Sequence, residues 1–375
     1  MRELKIFLVV VVFTALVYWG VEPYAHSVMK PHVAPANFNF EQEDTSYAKS
    51  ILAEKEKALE LAKAENNDTN IQNASKALEL AKENLAKQEA LWASVNKIDL
   101  SKGDVVAGKA FFEGNCFACH GAKIDGIDSN IPDSSIYGVL PPDLSSAGMI
   151  YDEKFLAALI MHPSLALKID HKFGDAFIMT AYNVETSGES EEVTNANIAN
   201  VIAYLKSIAL KFQNAEEEKI KKEAEEKYSK LENEAQKVAL VQKDIEFAKD
   251  RLSFVEACGR CHDMKYDGFK SLSNNKDLYG YLGSNPPDLS MMIRSRGDEY
   301  INNFINNTQK LLPGTAMPRV GLTKDTQSKV VSYIEKVGDS KKEERESLGI
   351  YIMIFFAILS VFAIGWKQKI WSKLH

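Results

Sequence analysis

Two long apolar runs lie near the two ends of the chain, and the residues between them mix polar and apolar positions. The first run covers residues 4–21 and the second covers residues 348–366. An α-helix rises about 1.5 Å per residue, so each run forms a helix of about 27 Å, roughly the thickness of the hydrocarbon core of a bilayer. We therefore predict transmembrane helices over residues 1–24 and 347–367.

The first apolar run has a second interpretation, as a cleaved signal peptide. Ala25 and Ser27 are small residues near a potential processing site. A retained anchor is favoured because the run is longer than the apolar region of an ordinary signal peptide. Glu22 and Pro23 also separate the run from these small residues.

Basic residues next to the two runs indicate the orientation in the membrane. Arg2 and Lys5 precede or begin the first run, and three lysines between 367 and 373 follow the second. Since cytoplasmic flanks are enriched in Lys and Arg, this bias places both termini in the cytoplasm. Three basic residues between 341 and 345 lie on the other flank of the second run and weaken the bias. The orientation therefore depends more on the cysteine motifs described below.

Two charged stretches have the apolar spacing of amphipathic helices. Residues 41–98 repeat the sequence ALELAK on either side of a turn cluster, NNDTN at 66–70, which predicts a helical hairpin. Residues 213–250 contain no Gly or Pro and carry a one-sided apolar stripe. A straight helix of that length would be about 57 Å long and would hold the motifs at its two ends apart. We therefore hypothesise a second hairpin that turns near Ser229–Asn233.

The remaining residues form two modules, 99–212 and 251–340, that look like internal repeats. In each module a helix leads into a cysteine pair, a Pro-Pro-Asp-Leu-Ser loop follows, a methionine lies in a later apolar loop, and an amphipathic helix closes the module. The opening helices are expected at 103–115 and 250–257, and the closing helices at 198–209 and 328–337. The same order at similar spacing indicates two related domains.

The composition is that of a globular protein, with 45% hydrophobic and 26% charged residues. The formal net charge of -7 argues against a nucleic-acid-binding protein, because there is no basic excess to neutralise phosphates. A charge of this size keeps a protein soluble, and it would also suit a positively charged docking partner.

All four cysteines belong to two copies of one motif. CFACH occupies residues 116–120 and CGRCH occupies residues 258–262, the attachment signature of c-type haem. Two thiols three positions apart on a helical turn can both form thioethers with one porphyrin, and the adjacent histidine then lies under the ring as proximal iron ligand. We predict two covalently bound haems c, attached to Cys116, Cys119, Cys258 and Cys261 and ligated by His120 and His262.

A zinc site and a thioredoxin-like redox pair are the competing interpretations of these cysteines. A zinc site would need the four cysteines to act together, or with further histidines at ligand spacing. A redox pair would need a parallel α/β context, which the sequence lacks. Covalent haem attachment takes place outside the cytoplasm in bacteria. The haem interpretation therefore places both modules in the periplasm, at the bacterial cytoplasmic membrane.

The sixth iron ligands are expected to be methionines, which raise the reduction potential relative to a second histidine. Met317 lies 55 residues after His262, and its Met-Pro pair in a Gly-containing loop suits a chain that crosses the open face of a haem. Met179 lies at a similar separation, 59 residues after His120. The alternatives in the first module are Met149, Met161, His162 and His171. Less suitable residues in the second module are Met264, Met291 and Met292.

The two Pro-Pro-Asp-Leu-Ser loops have a predicted role beside the haems. A proline carbonyl, from Pro142 in the first module and Pro287 in the second, can accept a hydrogen bond from the other ring N–H of the proximal histidine. This contact would fix the tautomer and the orientation of the ring. Leu144 and Leu289 would then pack on the haem edge. A simple double-proline turn is the alternative.

With these motifs, both modules resemble class I cytochrome c domains. The chain as a whole resembles the di-haem cytochrome c subunit of certain bacterial quinol-cytochrome c reductases, the cytochrome bc complexes. The resemblance covers YWGVEPYAHSVMKPH at 18–32, both modules and the carboxyl-terminal apolar helix, but not the charged helical segments. The expected fold class is mostly α, with two tandem cytochrome c domains, hairpin or coiled-coil insertions and two transmembrane helices.

The resemblance implies electron transfer from the Rieske iron-sulfur protein to a soluble cytochrome c or terminal oxidase, beside a cytochrome b subunit in the membrane lipid. The chain would then be an electron-transfer subunit rather than a stand-alone enzyme. One alternative is the di-haem subunit of a haem-copper oxidase, which usually has an amino-terminal anchor alone. Another is a di-haem peroxidase, which needs an open haem face with acid-base residues beside it. A free-standing membrane electron carrier is the third.

Overall fold

The computed structural model describes residues 2–29, 33–174 and 177–374. The chain is mostly helical, at 71% of residues, and within these ranges only isolated bridges pair extended backbone. The α-helices in chain order are α1 (Arg2–Leu16), α2 (Glu22–Met29), α3 (Phe40–Ala64), α4 (Asp68–Val95), α5 (Val105–Asn115), α6 (Ala147–Ile150), α7 (Glu153–Met161), α8 (Pro163–Ala166), α9 (Asp170–Phe173), α10 (Val184–Ser187), α11 (Glu191–Lys227), α12 (Glu234–Cys258), α13 (Asn275–Leu282), α14 (Met292–Arg296), α15 (Asp298–Asn306), α16 (Thr308–Leu311), α17 (Lys324–Gly338) and α18 (Lys342–Leu374). Shorter helical turns of other types occupy Val17–Val21, Leu100–Lys102, Lys123–Asp125 and Lys265–Asp267.

Within the described residues, two helical spans are long and apolar enough to cross a membrane. The amino-terminal span, Leu4–Val21, runs from α1 into a π-helical turn, and the carboxyl-terminal span, Ser347–Lys373, lies in α18. Large apolar side chains along both spans are exposed instead of packed into a core. Both spans are consistent with membrane anchoring. Residue 1 of the predicted anchor, and residues 30–32 of the segment 18–32, lie outside the described residues.

Helices α3 and α4 form the hairpin expected over residues 41–98. The turn between them contains Asn66 with a φ of 52°, a left-handed conformation that Asn adopts more readily than most residues. Asn67 then caps α4 by accepting a hydrogen bond from the backbone N–H three residues later. At the base of the hairpin, Asn96 donates a hydrogen bond to Glu41 at 2.9 Å, so the two helices are antiparallel.

The first hydrophobic core joins the base of this hairpin to the first module. Its buried residues come mainly from α4, α7, α8 and α11, and α5 contributes Phe112. Helix α5 crosses α11 where Gly108 lies against the backbone of Asn200. A β-carbon on Gly108 would lie 2.0 Å from the Asn200 carbonyl oxygen. Only glycine therefore permits this close crossing.

The second hydrophobic core lies between α12, α15 and α17. The rings of Phe254 and Tyr333 pack at its centre, with their centroids 4.9 Å apart. Phe112 and Tyr204 form the corresponding pair in the first core, at 5.5 Å. Each core is thus built on the helix that precedes the cysteine motif and the helix that closes the module.

Helices α11 and α12 form a second hairpin. Helix α11 ends at Lys227 and α12 begins at Glu234, so the chain turns at 228–233, where the hypothesis places the turn. Lys249 pairs with Glu217 at 2.9 Å across the two helices. A straight helix between the cysteine motifs is therefore excluded.

Two predicted domain limits fall inside continuous helices. The limit at 212 lies within α11 and the limit at 250 lies within α12, because no Gly or Pro interrupts either helix. Helix α11 closes the first module and continues into the second hairpin, and α12 leaves that hairpin and leads into the second cysteine motif. The opening helix of the first module starts at Val105 rather than 103, because Asp104 caps it.

The two modules contact each other directly. The Ser134 hydroxyl donates a hydrogen bond to the Asp277 carboxylate at 2.7 Å. The rings of Phe173 and Tyr281 stack with their centroids 4.8 Å apart. These contacts hold the two cysteine motifs in a defined arrangement.

The crossing of α5 and α11 gives a test of the fold. We expect Gly108→Ala to lower the free energy of unfolding by about 2 kcal/mol or more, because the added methyl group overlaps the α11 backbone. Gly114→Ala is the matched control in the same helix, since a β-carbon there meets nothing within 4 Å. This control should leave stability unchanged or raise it by up to about 1 kcal/mol. Denaturant unfolding followed by helical circular dichroism measures both, and equal effects would argue against the close crossing.

Candidate functional site

The first cysteine motif forms a single turn at the end of α5. The backbone N–H of Cys116 donates to Phe112 O at 2.8 Å, and the N–H groups of Cys119 and His120 both donate to Cys116 O, at 3.1 and 2.9 Å. This turn brings both thiols and the imidazole into one short segment. His120 Nδ1 lies 2.9 Å from the carbonyl oxygen of Pro142.

The Pro-Pro-Asp-Leu-Ser loop is held against the motif by its own hydrogen bonds. Leu144 N donates to Gly121 O at 2.8 Å. The Asp143 carboxylate accepts from Lys123 N at 3.1 Å and from Ser145 N at 3.0 Å. The carbonyl of Pro142 is therefore fixed in place, and half-buried Leu144 packs on the first core.

The second motif repeats these contacts. His262 Nδ1 lies 2.8 Å from the carbonyl oxygen of Pro287. Leu289 N donates to Asp263 O at 3.0 Å, and the N–H of His262 donates to Cys258 O at 3.0 Å. Half-buried Leu289 packs on the second core. The Asp288 carboxylate, at the same place in the loop as Asp143, accepts from Lys265 N at 3.0 Å.

An aspartate that the sequence analysis missed ties each motif to the helix that closes its module. In the first module, Tyr204 of α11 donates to Asp125 at 3.2 Å, and Lys109 of α5 pairs with the same carboxylate at 2.8 Å. In the second module, Tyr333 of α17 donates to Asp267 at 2.6 Å, and Arg251 of α12 pairs with it, also at 2.6 Å. Each aspartate follows the first motif cysteine by nine residues, and this repeated offset was the available signal.

The electrostatics of the two motifs suit iron ligation by histidine. Burial lowers the pKa of His120 and of His262, so both imidazoles are neutral. A carbonyl oxygen can only accept a hydrogen bond, so Nδ1 of each ring carries the proton. Nε2 then keeps a free lone pair, as a metal ligand requires.

The cysteine thiols do not have the character of a redox pair. Burial raises the pKa of Cys116 to about 11 and the pKa of Cys258 to about 12. A thioredoxin-like cysteine instead has a lowered pKa. Two thiols and a neutral imidazole on one turn fit the donor set of a covalently attached haem. Among the described residues, no group of three or more His, Cys, Asp or Glu side chains is arranged to hold a metal ion.

The two predicted methionine ligands lie in loops between helices. Met179 is half-buried in the loop between α9 and α10, and Met317 is half-buried in the loop between α16 and α17. Met317 N donates to the Thr315 hydroxyl at 3.3 Å. Their assignment as sixth ligands stays a prediction.

The competing ligand candidates have other surroundings. Met161 is buried in the first core, whereas His162 and His171 are exposed. Met264 is fully buried in the second core. Met291 is exposed and accepts a hydrogen bond from Tyr266, instead of packing within a helix as expected.

Comparison with known proteins identifies the first module. Residues 105–209 match the family model described as Cytochrome c, so the chain contains a cytochrome c domain. Proteins of this family carry covalently bound haem c. The matched range lies within the predicted first module, 99–212.

Two further likenesses are partial. A curated protein from Bradyrhizobium diazoefficiens, described as a cytochrome c homolog, is 29% identical over 96 residues, which is 23% of this chain and 51% of that protein. The chain thus spans about half the length of this relative. A solved structure described as a hyperthermophilic respiratory Complex III is 21% identical, with a TM-score of 0.29, and the match covers 35% of this chain and 77% of that one.

The aspartate that ties the first motif to α11 predicts a pH dependence. Hydrogen bonds from Lys109 and Lys211 lower the pKa of Asp125 from 3.8 to about 2. A lowered pKa stabilises the folded state fully above the unfolded-state value, and this contribution is lost as the pH falls from about 4 to about 2. In this window we expect Asp125→Asn to lose less unfolding free energy than the wild type, by up to about 2 kcal/mol.

Urea unfolding at a series of pH values measures this difference. The double variant Lys109→Met/Lys211→Met is the matched control, because it removes the cations and keeps the carboxyl group. It should show the same flattened profile. Parallel profiles for the wild type and Asp125→Asn would contradict the role of this carboxylate.

Proposed function

We propose that this chain is a membrane-anchored di-haem cytochrome c that transfers single electrons, as the cytochrome c subunit of a bacterial quinol-cytochrome c reductase. One observation carries the count of two haems. The second module repeats the hydrogen bonds of the first around its cysteine motif, from the histidine and proline carbonyl to the aspartate and tyrosine. We infer that residues 251–340 are a second cytochrome c domain.

The residues that hold each haem are those of the motif and the later methionine loop. In the first module we assign Cys116 and Cys119 to the thioethers, and His120 and Met179 to the iron. In the second module the corresponding residues are Cys258, Cys261, His262 and Met317. When bound, each haem supplies an iron atom that changes between the ferrous and ferric states by one electron.

The protein contributes orientation and surroundings. The carbonyls of Pro142 and Pro287 hold the histidine rings in one tautomer, which tunes the ligand field. Leu144 and Leu289 supply apolar contacts at the haem edge, and such contacts exclude water and influence the potential. Methionine ligation favours the ferrous state relative to a second histidine.

A short connection between the two motifs supports electron exchange within the chain. Arg260, inside the second motif, donates a hydrogen bond to Leu140 O at 3.4 Å. Leu140 lies two residues before Pro142, whose carbonyl contacts His120. The two iron-ligating histidines are thus linked through few residues, on packed modules whose relative position is defined.

The two candidate membrane spans support anchoring at both ends of the haem-binding region. Because covalent haem attachment occurs outside the cytoplasm, we place the modules in the periplasm and both termini in the cytoplasm. We propose the Rieske iron-sulfur protein as electron donor, a cytochrome b subunit as neighbour, and a soluble cytochrome c or terminal oxidase as acceptor. The carboxyl-terminal span favours this assignment over the di-haem subunit of a haem-copper oxidase.

Haem attachment can be counted directly. We expect the denatured wild-type chain to carry the mass of two haems, because thioether bonds survive denaturation. Cys258→Ala/Cys261→Ala should retain one haem, and Cys116→Ala/Cys119→Ala should retain the other. Intact-mass spectrometry and haem staining after denaturing electrophoresis measure the count. A wild-type chain with a single haem would refute the second domain.

The proposed complex has its own test. After gentle detergent extraction, we expect an affinity-tagged chain to copurify with a b-type cytochrome and an iron-sulfur protein, identified by mass spectrometry and by their optical and paramagnetic spectra. A tagged chain lacking residues 347–375 is the control for anchoring by the second span. Copurification with copper-containing oxidase subunits instead would favour the oxidase alternative, and rapid peroxide turnover by the isolated chain would favour a peroxidase.

A further inference from the structure

A buried arginine lies two residues after the proposed ligand of the second haem. Arg319 follows Met317 and Pro318, and its side chain is 0% exposed, as is that of its partner Asp44. The two form a bidentate pair: Nη1 lies 2.6 Å from Asp44 Oδ1, and Nη2 lies 3.0 Å from Asp44 Oδ2. Two parallel charge-assisted hydrogen bonds fix both distance and direction. Asp44 lies in the second turn of α3, in the first hairpin.

The other partners of this pair also come from outside the second module. Asp44 accepts a hydrogen bond from Trp92 Nε1 of α4 at 2.9 Å and pairs with Lys168 at 2.9 Å. Arg319 donates to Ala166 O of α8, from Nη2 at 2.9 Å. Its guanidinium also lies 5.5 Å from the centre of the Phe155 ring of α7. The arginine of the second module is thus inserted into the first module and the hairpin.

The backbone after Met317 is also hydrogen-bonded to the first module. Arg319 N donates to Leu167 O at 2.9 Å, and Thr323 N donates to Ile150 O at 3.0 Å. Gly321, with a φ of 71°, lies so close to Phe155 that a β-carbon would come within 2.1 Å of its ring. Met317 lies in the loop between α16 and α17, residues 312–323, which we call the methionine loop. The carboxyl-terminal part of this loop is therefore fixed to the first module.

The amino-terminal arm of the same loop is also connected to α3. Gln309 donates to Thr315 O at 2.9 Å and accepts from Gly314 N at 2.8 Å. The backbone carbonyl of Gln309 in turn accepts a hydrogen bond from the Tyr47 hydroxyl at 2.9 Å. Asp44 and Tyr47, which lie one turn apart in α3, thus contact the two sides of the loop that carries Met317.

The chemistry of the pair points to positioning and not to stability. Taking one carboxylate and two cations out of water is costly, and apolar residues of similar size often stabilise a core as well as a buried ion pair does. What a bidentate pair adds is a unique geometry. Arg319 lies two residues after Met317, the side chain of the loop that is assigned to the iron.

We propose that Arg319, held by Asp44 of α3, is a positioning residue for Met317. It fixes the methionine loop over the second haem, so the ligation and the reduction potential of that haem depend on the first hairpin and on the first module. This inference rests on the proposed function, because it takes Met317 as the sixth ligand.

The test uses the full-length, haem-loaded chain in detergent. In Arg319→Met, where Lys168 still neutralises Asp44, we expect both haems to stay covalently attached. One of the two should lose the far-red charge-transfer band of methionine-ligated ferric haem and fall in midpoint potential. The association constant for added imidazole at that haem should rise about tenfold or more, because imidazole no longer competes with a fixed methionine. The other haem should keep its band and potential.

Lys168→Met is the matched control, because it removes a buried partner of the same carboxylate without touching the methionine loop. This variant should keep both bands and the wild-type affinity for imidazole, even if it lowers the stability of the chain. Equal spectral changes in Lys168→Met and Arg319→Met would overturn the positioning role. Arg319→Lys keeps the charge but not the bidentate fork, and it should show a smaller rise in imidazole affinity. If Arg319→Met does not accumulate, unchanged imidazole binding in Arg319→Lys overturns the proposal.

Met317→Ala separates this inference from the proposed function. Loss of one far-red band in Met317→Ala, with both bands retained and imidazole affinity unchanged in Arg319→Met, would overturn the inference and leave the proposed ligand in place. Retention of both bands in Met317→Ala would show that the ligand assignment itself is wrong.

Discussion

The hydrogen bond between each motif histidine and a proline carbonyl is the contact on which both sites depend. Because the carbonyl can only accept, it fixes the proton on Nδ1 and leaves Nε2 free. The carbonyl can orient the histidine ring only if the position of its loop is fixed. The backbone hydrogen bonds of Leu144 and Leu289 fix that position. The motif turn is held in its place by the aspartate that joins it to the closing helix. These hydrogen bonds together define the orientation of the histidine ring in each motif.

The first hairpin is a structural part of both modules. Its base contributes Trp92 to the first core, and its buried Glu43 accepts hydrogen bonds from Asn307 and Lys310 of the second module. A segment that reads in the sequence as a charged insertion therefore lies where three parts of the chain meet. The turns far from its base are mostly exposed and amphipathic. A few polar residues near its base, such as Glu43 and Asp44, form the hydrogen bonds to the second module.

Local patterns predicted much of this structure, and long-range pairs account for what they missed. The periodicity of residues 41–98 and the Asn-rich turn within them were sufficient for the first hairpin, and the repeated Pro-Pro-Asp-Leu-Ser loops indicated which carbonyl lies by each histidine. The limits predicted at 212 and 250 fall inside α11 and α12, because a continuous helix gives no compositional break where one module ends. The pairing of Asp44 with Arg319 joins residues 275 positions apart, and no local pattern indicates it. Local periodicity does not indicate other contacts between distant parts of the chain, for the same reason.

The proposed dependence of the second haem on the first module follows from how a cytochrome sets its reduction potential. The protein influences the reduction potential through the axial ligand, the hydrogen bonds of the proximal histidine and the exclusion of water. In the second module the histidine is held from within, by Pro287, whereas the loop that carries Met317 is held from outside, by α3 and the first module. A shift of the first module relative to the second would therefore move the loop that carries Met317 and leave the contact between His262 and Pro287 in place. Packing the modules rigidly, at the cost of burying charges, removes that freedom and keeps the distance between the two motifs constant.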